Sequence, residues 1–363
     1  MIVSLFIIWK LGLTATTYLG SLIFPRLLNG AIGAQSINKT FDYWSSWAQW
    51  DGGHYYFLAK NGYANPSDTA FMPLYPALIK MVNFIFNNLL VSGLVVANLS
   101  FILFLLFFYK IIKTKYNRQI AKDTLLTFLF FPTTFFCIAL YSESLFLLLA
   151  VVCFWAITKK KFMAASALAG FAAITRLIGL FLLISIIYSY LANRRFKINK
   201  KIKDIVVLIG IFSIPLIVYI GFLIIHFKNP LLPITSQGFW GRQIQDPIST
   251  IFSYFWSAIT LYPRPINDYF DLALTIIFLG ILIYGPKKIS SSLWIFSTLA
   301  ILIPASTSTL TSIPRYALAS LGAFVIFAKI IGDRRNLKIL FWTISLILQI
   351  ILATLFINGY WIA

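Results

Sequence analysis

Apolar runs of about 20 residues, long enough as helices to cross a ~30 Å hydrocarbon core, recur along nearly all of this 363-residue chain. A helix satisfies its own backbone hydrogen bonds, so such runs are stable in lipid and cannot all be hidden in one water-soluble core. The composition agrees: 60% of residues are hydrophobic, 17% aromatic and only 11% charged, with a mean hydropathy of +0.87. The chain therefore reads as an all-α polytopic integral membrane protein with about 10–12 membrane segments.

Helices are expected over 5–24, 91–112, 124–141, 143–158, 162–176, 177–193, 204–226, 270–285, 290–304, 314–331 and 338–357, with a re-entrant or tilted segment over 72–88 marked by Pro73 and Pro76. There is no internal repeat and no appended soluble region, so residues 1–363 are read as one domain. The run from Ile2 to Phe24 lacks a basic leader and a small-residue cleavage site near Ala31 or Ala34, and is read as a retained helix. Cys137 and Cys153 lie inside apolar runs and form no metal motif.

A net charge of +20 raises nucleic acid as a partner. The basic residues argue against it. They fall in short clusters between apolar runs, at Lys110–Lys122, Lys159–Lys161, Arg194–Lys203, Lys287–Lys288 and Arg334–Lys338, which is the positive-inside pattern of cytoplasmic loops. Membrane lipids, and anionic ones of the inner leaflet in particular, are the expected partners. This orientation puts a first loop, 25–72, and a later loop, 227–269, on the outer side of the cytoplasmic membrane. Asp42, Asp51, Asp68, Asp246, Asp268 and Asp271 fall there too, together with Glu143, the sole glutamate. Carboxylate chemistry in this chain is expected at the outer membrane surface.

The stretch Trp50-Asp51-Gly52-Gly53-His54-Tyr55-Tyr56 offers two readings. If a helix starts near Gly52, Asp51 is an N-cap that satisfies an orphaned N–H. Alternatively Asp51 is a general base, shielded by Trp50, with the glycines permitting close approach of a substrate and with His54 and Tyr55 on the same helical face. The aromatic residues also suit an interfacial belt. Phe71-Met72-Pro73-Leu74-Tyr75-Pro76 is a shaped turn into the membrane. In Tyr141-Ser142-Glu143-Ser144, the glutamate would cost about 2.5–3.5 kcal/mol mid-membrane, so it is either functional or placed in a helix's first turn, where negative charge is favoured. Arg176 and Arg315 interrupt apolar segments, as helix-end snorkelers or as phosphate clamps. A P-loop, a zinc-protease motif, a nucleophile elbow and a DxD-type nucleotide-sugar motif are all absent, which supports neither ATP-driven transport nor soluble-type sugar-nucleotide transfer; a sugar donor, if the chain uses one, is expected to be a lipid.

In this order and spacing, WDGGHYYFLAKNGY, FMPLYPAL and YSESLF resemble the PIG-V family, the second mannosyltransferase of glycolipid-anchor synthesis and its prokaryotic relatives. The similarity is strongest over 44–180, and Pro314-Arg315-Tyr316 resembles the late Arg-Tyr element of lipid-dependent glycosyltransferases. The resemblance implies a GT-C fold and transfer of a hexose, with mannose the leading candidate, from a polyprenyl phosphate to a glycan or glycolipid hydroxyl at the outer face. It also implies an inverting single displacement, with Asp51 matching the aspartate of the first outer loop. On this reading Asp51 and Glu143 are catalytic, Arg176 and Arg315 bind the donor phosphate, and Trp50, His54, Tyr55, Tyr75, Tyr141 and Tyr316 contact substrate. The reaction requires no cofactor, although a divalent metal is compatible with it. The 227–269 loop carries no matching motif and is the candidate acceptor region. The alternatives are a lipid-linked-glycan flippase or transporter and a non-catalytic membrane subunit; a transporter would place its ionisable residues near helix midpoints and show repeats.

Overall fold

A computed structural model describes residues 1–27, 42–192, 198–260 and 264–362, with side chains at 198–201 excluded. The expected outer-loop stretch 28–41, the Arg194–Arg195 part of a basic cluster and Pro263 lie outside the described residues. Every element among the described residues is helical. In chain order these are α1 (Ile2–Ile23), α2 (Asp51–Asn61), α3 (Leu74–Phe86), α4 (Leu89–Lys115), α5 (Arg118–Leu129), α6 (Glu143–Thr158), α7 (Phe162–Ala173) and α8 (Leu182–Leu191). There follow α9 (Ile198–Phe227), α10 (Leu232–Thr235), α11 (Pro247–Ile259), α12 (Ile266–Ile283), α13 (Ser291–Ala305), α14 (Ile313–Tyr316), α15 (Leu321–Ile331) and α16 (Arg335–Ile357).

Five of these helices, α1, α4, α9 from Ile202, α12 and α16, are long and apolar enough to span a membrane, and a sixth span forms if the 80° bend between Ile313–Ala319 and α15 joins two halves of one crossing. The sequence expectation of 10–12 segments counted further apolar runs. In the structure several of these are helices of 10–17 residues, short of a full crossing on their own. The expected helix over 124–141 is corrected: α5 stops at Leu129, Pro132 cannot continue a helix, and a buried turn with a 3-10 segment at Thr134–Cys137 follows. The 177–193 segment likewise opens as a 3-10 turn, Leu177–Phe181, before α8.

The chain divides into two compact units, one of 1–64, 75–145 and 327–363, the other of 65–74 and 146–326. In the first, Asn88 caps α4 through Val91 N at 3.1 Å and Asn117 caps α5 through Ile120 N at 2.7 Å. A buried polar link ties three segments together. Trp9 Nε1 donates to Gln349 Oε1 at 2.8 Å, and the Gln349 amide donates to Leu129 O at 3.1 Å and Phe131 O at 2.7 Å. Each partner is satisfied, as a polar group buried in an apolar bundle must be. Around this link, Phe6, Phe101, Phe104, Phe108 and Phe128 pack ring on ring.

The second unit relies on small residues. Helix α7, with Ala165, Ala169 and Gly170 buried, packs so closely on α9 that a Cβ at Gly170 would sit 2.4 Å from Phe212 O. Backbone cannot yield as a side-chain tip does, so Gly170→Ala is expected to cost about 1–3 kcal/mol. Gly210, on α9 with nothing within 4 Å of its added Cβ, provides the control. Gly210→Ala should leave the thermal unfolding midpoint in detergent unchanged or slightly raised, whereas Gly170→Ala should lower it. Equal midpoints would dismiss the close-packing argument.

Candidate active site

The Trp50–Tyr55 motif is built on one unusual backbone position. Trp50 adopts φ 53°, ψ −119°, a left-handed conformation that costs a bulky residue about 1–3 kcal/mol. Its indole holds it there. Nε1 donates to Tyr360 O at 3.2 Å, and the ring meets Trp361 edge-on at 4.9 Å. The turn makes Trp50 the N-cap and Asp51 the first residue of α2, and no side-chain cap is formed. Of the two readings of this stretch, the one that makes Asp51 itself the cap is set aside, because the helix starts one residue earlier than it required. Asp51 is half-buried in the first turn, where the helix macrodipole favours negative charge.

The glycine that follows serves packing. A Cβ on Gly52 would lie 3.1 Å from Leu140 O and 3.2 Å from the Tyr141 ring, so glycine lets the start of α2 lie against the segment before Glu143 without pushing it back. Three further contacts fix this junction. Leu140 N donates to Trp47 O at 2.9 Å, Tyr141 OH donates to Gln49 O at 3.0 Å, and the Tyr55 and Ser142 hydroxyls share a hydrogen bond of 2.8 Å. The WDGG and YSES motifs, which begin 91 positions apart at Trp50 and Tyr141, thus form one structure within the first unit. Glu143, 2% exposed, opens α6 just after it.

Two other sequence candidates in this unit, Tyr75 and Tyr141, are buried in its core. Tyr75 is fully buried, donates to Gly93 O at 3.1 Å and meets the Tyr55 ring edge-on at 5.0 Å. Tyr141 is fully buried against Phe136 and Phe356. His54 lies half-buried one helical turn beyond Asp51.

The second unit gathers cations around one tyrosine. Ser312, with φ 71°, and Pro314 open the short α14 that carries Arg315 and Tyr316. Arg315 is 5% exposed. The Arg176 guanidinium lies 5.1 Å from the centre of the Tyr316 ring and that of Arg242 lies 5.4 Å from it. Arg242 also donates to the Tyr316 hydroxyl at 3.3 Å and to Thr311 O at 3.0 Å. Arg242 lies in the motif-poor 227–269 loop, read from sequence as the candidate acceptor region without a role for this arginine. What brings it in is backbone pairing of Gln243 N with Thr307 O and of Gln245 N with Ser306 O. Phe71 of the proline motif packs edge-on against Trp240, at 5.9 Å.

Most remaining acids have local duties. Asp42 accepts from Trp44 N, Asp68 forms a capping box with Asn65, and Asp268 pairs with Arg264 at 3.2 Å. Asp246 caps α11 through Ser249, and that hydrogen bond holds its carboxyl below the usual range. Asp123 binds Lys338 and Asp204 accepts from Tyr190. Among the described residues no three His, Cys, Asp or Glu side chains converge in a way that could hold a metal ion.

The fold is similar to that of GT-C enzymes. ArnT from Cupriavidus metallidurans bound to undecaprenyl phosphate superposes with TM-score 0.54 at 12% identity over 94% of this chain and 62% of ArnT. Its apo form gives 0.52 at 16% identity over 95% of this chain and 62% of that one. The apo oligosaccharyltransferase of Archaeoglobus fulgidus gives 0.50 at 11% identity, covering 97% of this chain and 56% of that enzyme. The chain therefore spans less than two thirds of the length of these structural neighbours. No protein of curated function matches it in sequence. The family described as Mannosyltransferase (PIG-V) matches residues 2–228, well over half of the sequence, and the chain belongs to that family.

Proposed function

We propose that this membrane mannosyltransferase moves one hexose, mannose first among candidates, from a polyprenyl-phosphate carrier to a hydroxyl of a glycan or glycolipid at the outer face of the cytoplasmic membrane. The observation that carries the reading is the locked junction of the WDGG and YSES motifs, which sets two carboxylates, Asp51 and Glu143, in the first turns of two helices. Family membership favours an enzyme over a flippase or a structural subunit. The lipid-phosphate donor is supported by the undecaprenyl phosphate bound to the ArnT structure that shares the fold.

The reaction forms a bond from the acceptor oxygen to the anomeric carbon and breaks the bond from that carbon to the phosphate oxygen, with inversion. Asp51 takes the acceptor proton as general base. Glu143 supports the oxocarbenium-like carbon as positive charge develops there. The leaving lipid phosphate needs compensating positive charge. Arg315 and Arg176 have it, and Arg242, which shares Tyr316 with Arg176, joins them. His54, Tyr55 and Trp50 shape the surroundings of the base. The 227–269 loop, which contributes Arg242, is the acceptor region.

The purified chain, incubated with polyprenyl-phosphate-mannose or polyprenyl-phosphate-glucose and a native lipid extract, is expected to give a hexose-extended product from the mannose donor, identified by mass spectrometry. Product from neither donor in an otherwise folded preparation would dismiss the lipid-phosphate reading.

A further inference from the structure

The two ends of α16 carry different chemistry within the first unit. Just beyond its C-terminal end, Tyr360 and Trp361 hold Trp50. Its first turns, together with α5, line a pocket of about 330 Å³ whose polar wall includes Lys122, Asp123, Asp333, Arg335, Lys338 and Trp342. A 23-residue helix is ~34 Å long, so the pocket lies at the opposite edge of the hydrocarbon core from Trp50.

At the pocket floor Lys338, 8% exposed, donates to Asp123 at 2.5 Å, and Gln119 donates to the other carboxylate oxygen at 2.9 Å. This pair neutralises itself and holds α16 to α5. Trp342, donating to Thr127 Oγ1 at 3.1 Å, forms the adjoining wall. The rim then sets the net charge of the pocket. Lys122 and Arg335 are exposed there against Asp333 alone, leaving the rim positive. Leu337, Leu340, Ile344 and Ile347, spaced three and four apart on one face of α16, are all exposed and run from the pocket's edge along the helix. A dissolved anion would use only the rim. A phospholipid uses both the rim and the stripe.

We propose that this pocket is a headgroup site for an anionic phospholipid, with its phosphate between Lys122 and Arg335 and its acyl chains along the Leu337–Ile347 stripe. The full chain in neutral detergent, titrated with phosphatidylglycerol or phosphatidylcholine and read by native mass spectrometry, should retain phosphatidylglycerol preferentially. Lys122→Gln with Arg335→Gln should lower bound phosphatidylglycerol at least about fivefold and leave phosphatidylcholine unchanged. Lys159→Gln with Lys160→Gln, in another exposed basic cluster, should match wild type. All four side chains are exposed, so the fold survives these changes. Unaltered phosphatidylglycerol retention in the first variant overturns the proposal. So does an equal loss in the second, which would reduce the effect to diffuse surface charge. Inorganic phosphate separates the two sources of the anion. It should fail to displace the lipid at equal concentration, and displacement would make this a free-phosphate site and overturn the lipid assignment.

Discussion

Asp51→Asn is expected to lower sugar transfer by about 10²–10⁴-fold, the usual worth of a general base, with folded yield kept and the thermal midpoint lowered only slightly. The geometry removes the main structural explanation for such a loss. Asp51 is the first residue of α2 and not its cap, and asparagine is isosteric with it, so the only expected structural change is loss of the first-turn charge, worth about 0.3–1 kcal/mol. What changes is the ability to accept a proton. Initial rates with a polyprenyl-phosphate-mannose donor provide the measurement. Near wild-type turnover would return Asp51 to a structural role and move the search for the base to Glu143. Of the other acids in the first outer loop, Asp68 forms a capping box with Asn65 and Asp42 accepts from Trp44 N.

The long apolar helices were legible because hydropathy reports environment, and a lipid-facing span is apolar all along. Expected and observed bounds agree within a few residues for α1, α4, α6, α13 and α16. The same signal fails wherever backbone bends inside an apolar setting. Residues 131–147 are all buried, so the break after Leu129 is invisible to hydropathy, and only Pro132 hints at it. Asp51 and Glu143 could be singled out because acids are scarce in this chain. That they share one junction could not, since it depends on the Trp50 backbone angle and on Gly52 meeting Leu140. Arg242 was hidden for a related reason: its partner Tyr316 lies 74 positions further along the chain.

Arg315→Lys keeps the charge and loses the fork, and separates recognition of a phosphate from general electrostatics. A guanidinium can give two parallel hydrogen bonds to a phosphate, whereas an ammonium acts as a point charge. Hydrogen bonds to charged groups are worth about 1.5–3 kcal/mol, so the lysine variant should lose roughly 10–100-fold in kcat/KM for the lipid-phosphate donor. Because leaving-group charge grows toward the transition state, the loss should appear in kcat as well as in donor KM, while acceptor KM stays constant. Arg315 is buried, so Arg315→Lys alone could act through folding. Arg176, half-exposed beside the Tyr316 ring, supplies the check. Arg176→Lys should show the same kinetic pattern per folded molecule. If both variants retain wild-type donor kinetics, the arginines around Tyr316 are packing and interface residues, and the phosphate must be held elsewhere.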